Sequence, residues 1–196
     1  MTSTLPYVHP HNHTSGSLLD GYQTPEAMVA RAAALGMPAI GITDHGNLHA
    51  AYRFHTAAQK AGITPIVGIE AYLAPGDMGD KTPVFWGEPE QRDDDVSSKG
   101  AYTHLSLWAT SEAGLRNLYA LTSASYSEGR YKKPRIDYRL LSEHAAGLIA
   151  STGCPGGEVQ TRLRLGQQAE ADAAAGRLLD IFGRDRLFVE LMDHGI

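Results

Sequence analysis

Ala39-Ile40-Gly41-Ile42-Thr43-Asp44-His45-Gly46 is a short apolar run that ends abruptly in an acid and an imidazole. Such a run, bounded by turn residues, suits a buried strand. A helix pattern lies on each side of it. Upstream, Thr24 can cap and Pro25 suits the first turn of a helix that runs to Leu35 and stops at Gly36. Downstream, a second helix pattern covers residues 48–61 and ends at Gly62. The alternation continues outward. Further strand candidates are residues 7–11, 65–71, 103–109, 148–151 and 187–192. Further helices begin at Ser111 and Glu112, with Leu115, Leu118 and Leu121 at helical spacing, and cover 137–144, 158–165 and 170–182. This rhythm predicts an α/β fold with a mostly parallel sheet, as a barrel or a doubly wound sheet.

The 196 residues form one sizeable core rather than two ordinary domains, and 42% hydrophobic with 20% charged content describes a globular chain. No apolar run reaches the ~18 residues of a membrane span, and the N-terminus lacks a secretory pattern. A single cysteine, Cys154, rules out an internal disulfide and fits a cytoplasmic setting. The net charge of −5 argues against a broadly basic nucleic-acid surface. Residues 75–100 break the rhythm with Gly, Pro and Asp, including Arg92-Asp93-Asp94-Asp95, and a connection this long is normally functional or disordered. Within it, Phe85 and Trp86 suggest docking on something apolar.

Ligand-type residues gather at strand ends. His9, His11 and His13 alternate, so an extended strand would place all three on one face. Imidazoles that close disfavour each other's protonation, and a divalent cation is their commonest partner. Asp20 lies in the next loop, Asp44 and His45 follow the second strand, and Cys154 follows the fifth. The carboxyl ends of parallel strands are where α/β folds build their sites. Glu70 sits inside an apolar run, where an unpaired carboxylate is costly and calls for a cation. Asp44 reads either as an orienter of a ligand or as a helix cap. Cys154 reads as a ligand before a buried residue, and as a nucleophile last. His104 falls at the start of its strand, so position alone does not recommend it. His49, His55, His144 and His194 read as ordinary helix or loop residues.

His11-Asn12-His13-Thr14 with Leu18-Leu19-Asp20-Gly21 resembles the first motif of PHP (polymerase and histidinol phosphatase) domains. Asp44-His45-Gly46-Asn47, Gly68-Ile69-Glu70-Ala71-Tyr72, Tyr102-Thr103-His104-Leu105 and Thr152-Gly153-Cys154-Pro155 are similar to the later motifs in order and spacing. Gly114-Leu115-Arg116-Asn117-Leu118 and Gly157-Glu158-Val159-Gln160 resemble the version in the α subunit of bacterial DNA polymerase III, the C-family replicative polymerases. The resemblance covers residues 1–196 as a PHP domain and implies a distorted (β/α)7 TIM-like barrel. It implies up to three divalent ions, zinc or manganese with iron as a third candidate, on His11, His13, Asp20, His45, Glu70, His104 and Cys154. Two departures flank the ligands: Ser15-Gly16 stands where the family has an acidic and an aromatic residue, and Pro10 where it has an aliphatic. The family's closing Asp-x-His pair has no counterpart, since Asp193 and His194 are adjacent, so the barrel is expected to be C-terminally truncated.

The resemblance implies metal-dependent 3′–5′ exonuclease proofreading within a DNA polymerase subunit. A metal-activated water is then the nucleophile, and no separate Ser or Cys is required. Its partners would be a DNA primer 3′ end, the rest of the α subunit and other replisome subunits such as the sliding clamp, with no membrane involved. Arg162 and Arg164, on the helix after Cys154, are candidates for contacting phosphate. The alternatives are a metal-stabilised structural domain without catalysis, or a stand-alone PHP phosphoesterase.

Overall fold

The computed structural model describes residues 7–91, 95, 97 and 99–192; Arg92, Asp93, Asp94, Asp193 and His194 lie outside them. Thr24 caps α1 (Pro25–Ala34) through the Ala27 amide at 3.2 Å, with Pro25 at its first turn, as its sequence dictates. Then come β1 (Ala39–Ile42), α2 (Ala51–Ala61) and the ten-residue β2 (Thr64–Leu73). Gly62 closes α2 in the left-handed conformation at φ 70°. Beyond the long connection lie β3 (Thr103–Ala109), α3 (Glu112–Ser127), β4 (Arg130–Tyr131), β5 (Lys133–Ile136) and α4 (Tyr138–Glu143). The chain continues through β6 (Leu148–Ser151), α5 (Glu158–Arg164), α6 (Gln168–Phe182) and β7 (Leu187–Phe188).

The α/β class is as expected, but the sheet is mixed rather than mostly parallel. β1 and β5 both run parallel to β2 and share one of its edges, pairing with its first and last residues respectively. On the other edge β3 runs antiparallel to β2, and β6 antiparallel to β3. A parallel neighbour needs a crossover, usually a helix. Between β2 and β3 the described chain has only a 3-10 turn at Pro89–Gln91, so β3 returns in the opposite direction. The β4–β5 hairpin is a further antiparallel pair that the sequence pattern did not announce.

The strand expected at residues 7–11 is instead an extended segment beside β1. The Gly41 and Thr43 amides donate to the carbonyls of His9 (2.9 Å) and Asn12 (2.8 Å). Pro10 has no N–H to contribute, so no regular ladder forms. Gly41 is required here because a Cβ would lie 1.9 Å from the Pro10 carbonyl oxygen. The strand expected over 187–192 is regular only for Leu187–Phe188.

Two apolar clusters hold these elements. One joins Ile69, Leu105 and Leu107 of the sheet to Leu118 and Leu121 of α3 and Phe182 of α6. The other packs Ile40 and Ile42 of β1 against Met28 and Val29 of α1 and Phe54 of α2. The long connection is anchored rather than loose. Arg135 on β5, 1% exposed, donates to the carbonyls of Met78 and Asp80 (both 2.7 Å), Ala101 (3.0 Å) and Gly129 (3.2 Å). Trp86, expected to dock on something apolar, lies against a cation instead, the Arg162 guanidinium 4.0 Å from its ring centroid.

Candidate metal centre

The pleat of β2 separates its two kinds of residue. Ile69 and Ala71 enter the apolar core, while Gly68, Glu70 and Tyr72 face the other way. Across the ladder they meet Trp108, Ser106 and His104 of β3. Gly68 leaves room for the Trp108 indole, which a Cβ would approach to 2.6 Å. The indole N–H donates to the Pro10 carbonyl at 2.9 Å and fixes the N-terminal segment over this face. His11 Nε2 and His13 Nε2 thereby come to 3.5 and 3.0 Å from Glu70 Oε2. His9 does not join them. Its ring packs on exposed Tyr7 at 4.6 Å, because the segment is not a regular strand that would align all three imidazoles.

His45 arrives from the end of β1 with Nδ1 3.1 Å from Glu70 Oε2, and Nε2 2.7 Å from Asp20 Oδ2. The turn is set by Gly46 at φ 59°, whose amide donates to the Glu70 carbonyl at 2.9 Å. Asp44, for which the sequence allowed either an orienting or a capping role, is buried. It accepts from the Thr14 amide (2.7 Å), the Thr14 hydroxyl (2.6 Å) and the Ser17 hydroxyl (2.9 Å). It therefore orients the ligand loop. Because the Ser17 proton goes to Asp44, His13 Nδ1, 3.1 Å from Ser17 Oγ, must be the donor of that pair. Neutral His13 then presents the lone pair of Nε2 toward Glu70.

His104 is resolved by strand direction. Because β3 is antiparallel, its first residues lie beside the last residues of β2, and His104 Nδ1 sits 3.0 Å from Glu70 Oε1. Cys154 Sγ lies 3.4 Å from the same nitrogen, held by the loop whose Gly156 carbonyl accepts the His104 amide at 2.9 Å. All seven residues expected to ligate are thus brought to one face of the sheet.

Glu190 was not anticipated. It follows β7, and its Oε1 lies 2.6 Å from His11 Nδ1. Its other oxygen accepts from the Ser106 hydroxyl at 3.2 Å and from the Ser151 hydroxyl. This joins the last described strand to the N-terminal segment across the site. Its signal in the sequence is the one that singled out Glu70: an acid between apolar strand residues, Val189-Glu190-Leu191. A carboxylate on the far nitrogen of a ligating imidazole fixes its orientation and raises its basicity. Glu190→Gln is expected to weaken divalent-metal affinity by about 10–100-fold, as read by titration with manganese. Wild-type affinity in that variant would assign Glu190 to packing alone.

The electrostatics suit a cation. Glu70 is 1% exposed; burial would raise its pKa, yet His104, His11 and His13 hold it far below the usual carboxylate range. His11 is lowered by burial but carried up to about 9 by Glu190 and Glu70. Burial pushes His45 down, favouring the neutral ligand form. Burial and the Glu70 charge push the Cys154 thiol well up, so without a cation it is a poor nucleophile. Two features fit a metal in particular. His45 Nδ1 is buried without a hydrogen-bond partner. His13 Nε2 faces a Glu70 carboxylate oxygen at 3.0 Å, a pair of donor atoms that a metal ion could share. Three groups have donor atoms close enough to hold an ion: His11-His13-Glu70, His13-Asp20-His45 and His45-Glu70-His104. Because they share members, they form one continuous centre.

Arg162 and Arg164, the candidates for contacting phosphate, both have partners within the chain. Arg162 stacks on Trp86 and donates to the Gln167 side chain at 2.7 Å, and Arg164 donates to the Pro155 carbonyl at 2.6 Å. Both serve the packing of α5.

The PHP domain model matches residues 9–194. This chain belongs to the PHP family. Over 97% of its length it is 54% identical to DNA polymerase III subunit alpha of Saccharopolyspora erythraea and 53% identical to that of Mycobacterium tuberculosis. It is 39% identical to the Thermus aquaticus subunit over its whole length. The PHP chain spans about one sixth of the curated relatives it matches, 17% and 16% of the first two. Among solved structures, one from Bifidobacterium adolescentis assigned as a metal-dependent phosphoesterase aligns with TM-score 0.50 at 16% identity. It covers 95% of this chain and 77% of that one, and shows the shared fold. No described helix is long and apolar enough to cross a membrane.

Proposed function

We propose that residues 1–196 form a PHP domain of a replicative DNA polymerase α subunit, hydrolysing phosphodiesters at a mismatched primer 3′ end in the 3′–5′ direction. One observation supports this above the rest: the three overlapping ligand groups share His13, His45 and Glu70, so the face suits more than one divalent ion. Closely spaced zinc or manganese ions supply the charge that stabilises both the attacking and leaving oxygens of phosphodiester hydrolysis. The chain's residues hold and orient that charge. Glu70 anchors the centre from the sheet, His11 is braced by Glu190, and Ser17 and Asp44 fix the face that His13 presents. No described side chain needs to serve as a covalent nucleophile, and the raised Cys154 thiol favours a ligand role. Its proposed partners are primer DNA, the remaining α subunit and replisome subunits such as the sliding clamp, and its proposed location is cytoplasmic; the similarity to polymerase subunits supports these readings.

The test uses an α subunit of the relatives' length that carries this segment. With manganese or zinc it should remove a mismatched primer 3′ nucleotide. His13→Ala should abolish removal by orders of magnitude while sparing nucleotide addition. A subunit that extends primers normally and never removes a mismatched end would assign the centre a structural role.

A further inference from the structure

The metal centre opens into a groove of about 530 Å³. That volume suits a nucleotide-sized group, within the ~300–1,000 Å³ usual for small-ligand pockets. Asp20, His45 and His104 of the centre line its inner end. Its outer wall is the β4–β5 hairpin, which contributes Arg130, Lys132 and Lys133. Three cations on one wall are a local reversal for a chain of net charge −5. Lys132 forms the hairpin tip at φ 59°, a conformation that glycine adopts freely and a residue with a side chain rarely does.

The loop that carries Asp20 also lines the groove, and it exposes Leu18 (91%) and Leu19 (90%). Tyr102 and half-exposed Tyr126 line it as well. Cations combined with apolar and aromatic surface in one groove suit a nucleic-acid backbone and its bases. A duplex terminus would have to unstack to enter, and apolar side chains such as Leu18 and Leu19 suit that separation.

We propose that this groove receives the 3′ end of a single DNA strand, with its phosphates on Arg130, Lys132 and Lys133 and its bases against Leu18, Leu19, Tyr102 and Tyr126. This deepens the phosphodiesterase reading and rests on it for the role of the strand, but binding is measured separately from hydrolysis.

The experiment titrates the chain into a 5′-fluorescein-labelled single-stranded DNA of about eight nucleotides. Anisotropy is read in EDTA at several salt concentrations, so no hydrolysis is required. Arg130→Ala with Lys132→Ala should weaken binding about tenfold or more and reduce the salt slope by about 0.7 for each phosphate no longer neutralised. Lys132→Gln alone, at an exposed tip, should do the same to a smaller degree and guards against misfolding of the double variant. Lys60→Glu on α2, away from the groove, should change neither quantity. Equal binding by all four proteins, or no binding by wild type, would overturn the groove assignment. Binding that behaves as expected in a protein whose metal-loaded form never cleaves the strand would uphold the groove and sink the phosphodiesterase reading instead.

Discussion

Glu70→Ala should bring the metal content of the purified chain below about a tenth of an equivalent under metal-replete conditions. Four imidazoles face this one carboxylate, at 3.0 to 3.5 Å, and two of the three ion-sized ligand groups include it. Its removal takes away the one carboxylate that all four imidazoles share, leaving Glu190 on His11 and Asp20 on His45 alone. Binding to the native state alone stabilises by mass action, about 3–4 kcal/mol at 100 to 1,000 times the dissociation constant. The variant should therefore also lose the melting-temperature gain that metal gives the wild-type chain. His55→Ala and His144→Ala should retain wild-type metal content, since neither belongs to the ligand groups. Equal metal content in Glu70→Ala and these two controls would mean that the centre has been misplaced.

The second large effect concerns folding rather than metal. Arg135→Ala is expected to cost about 3–5 kcal/mol of stability, read from the denaturant midpoint at fixed metal concentration. Each bond from a charged donor contributes roughly 1.5–3 kcal/mol, and carbonyls left unpaired in the interior add a desolvation penalty. The Met78, Asp80, Ala101 and Gly129 carbonyls all depend on this guanidinium. They belong to both ends of the long connection and to the approach to the β4–β5 hairpin. Arg135→Lys keeps the charge but not the fork that reaches four carbonyls, so it should recover only part of the loss. A change below about 1 kcal/mol for Arg135→Ala would show that the connection is held by other contacts.

Much of the centre was legible because polar side chains at apolar strand ends have few inexpensive roles. His11, His13, His45 and Glu70 stood out on that ground, and the structure brings them together. His104 was legible only through the family resemblance. Its position argument assumed a parallel strand, and nothing in Thr103–Ala109 itself records the direction in which that strand runs. Glu190 carried the same pattern as Glu70 but sat in a terminal apolar stretch whose partner across the sheet could not be read. Arg162 and Arg164 stood out only for nearness in sequence to Cys154, and their contacts with Trp86 and the Pro155 carbonyl were not legible there. The cations that do line the groove lie in a hairpin of two very short strands, where no periodicity can develop. Pro10 hid in the same way, by removing the N–H that would have made the first segment a regular strand.

The centre itself is tested most directly by elemental analysis of the metal-replete chain after removal of loosely bound ions. Ligand groups that share His13, His45 and Glu70 predict about two to three equivalents of divalent metal, with a lower melting temperature after chelation. A single equivalent would contradict the shared-ligand arrangement. Less than about a tenth of an equivalent, with no response to the chelator, would contradict metal binding altogether.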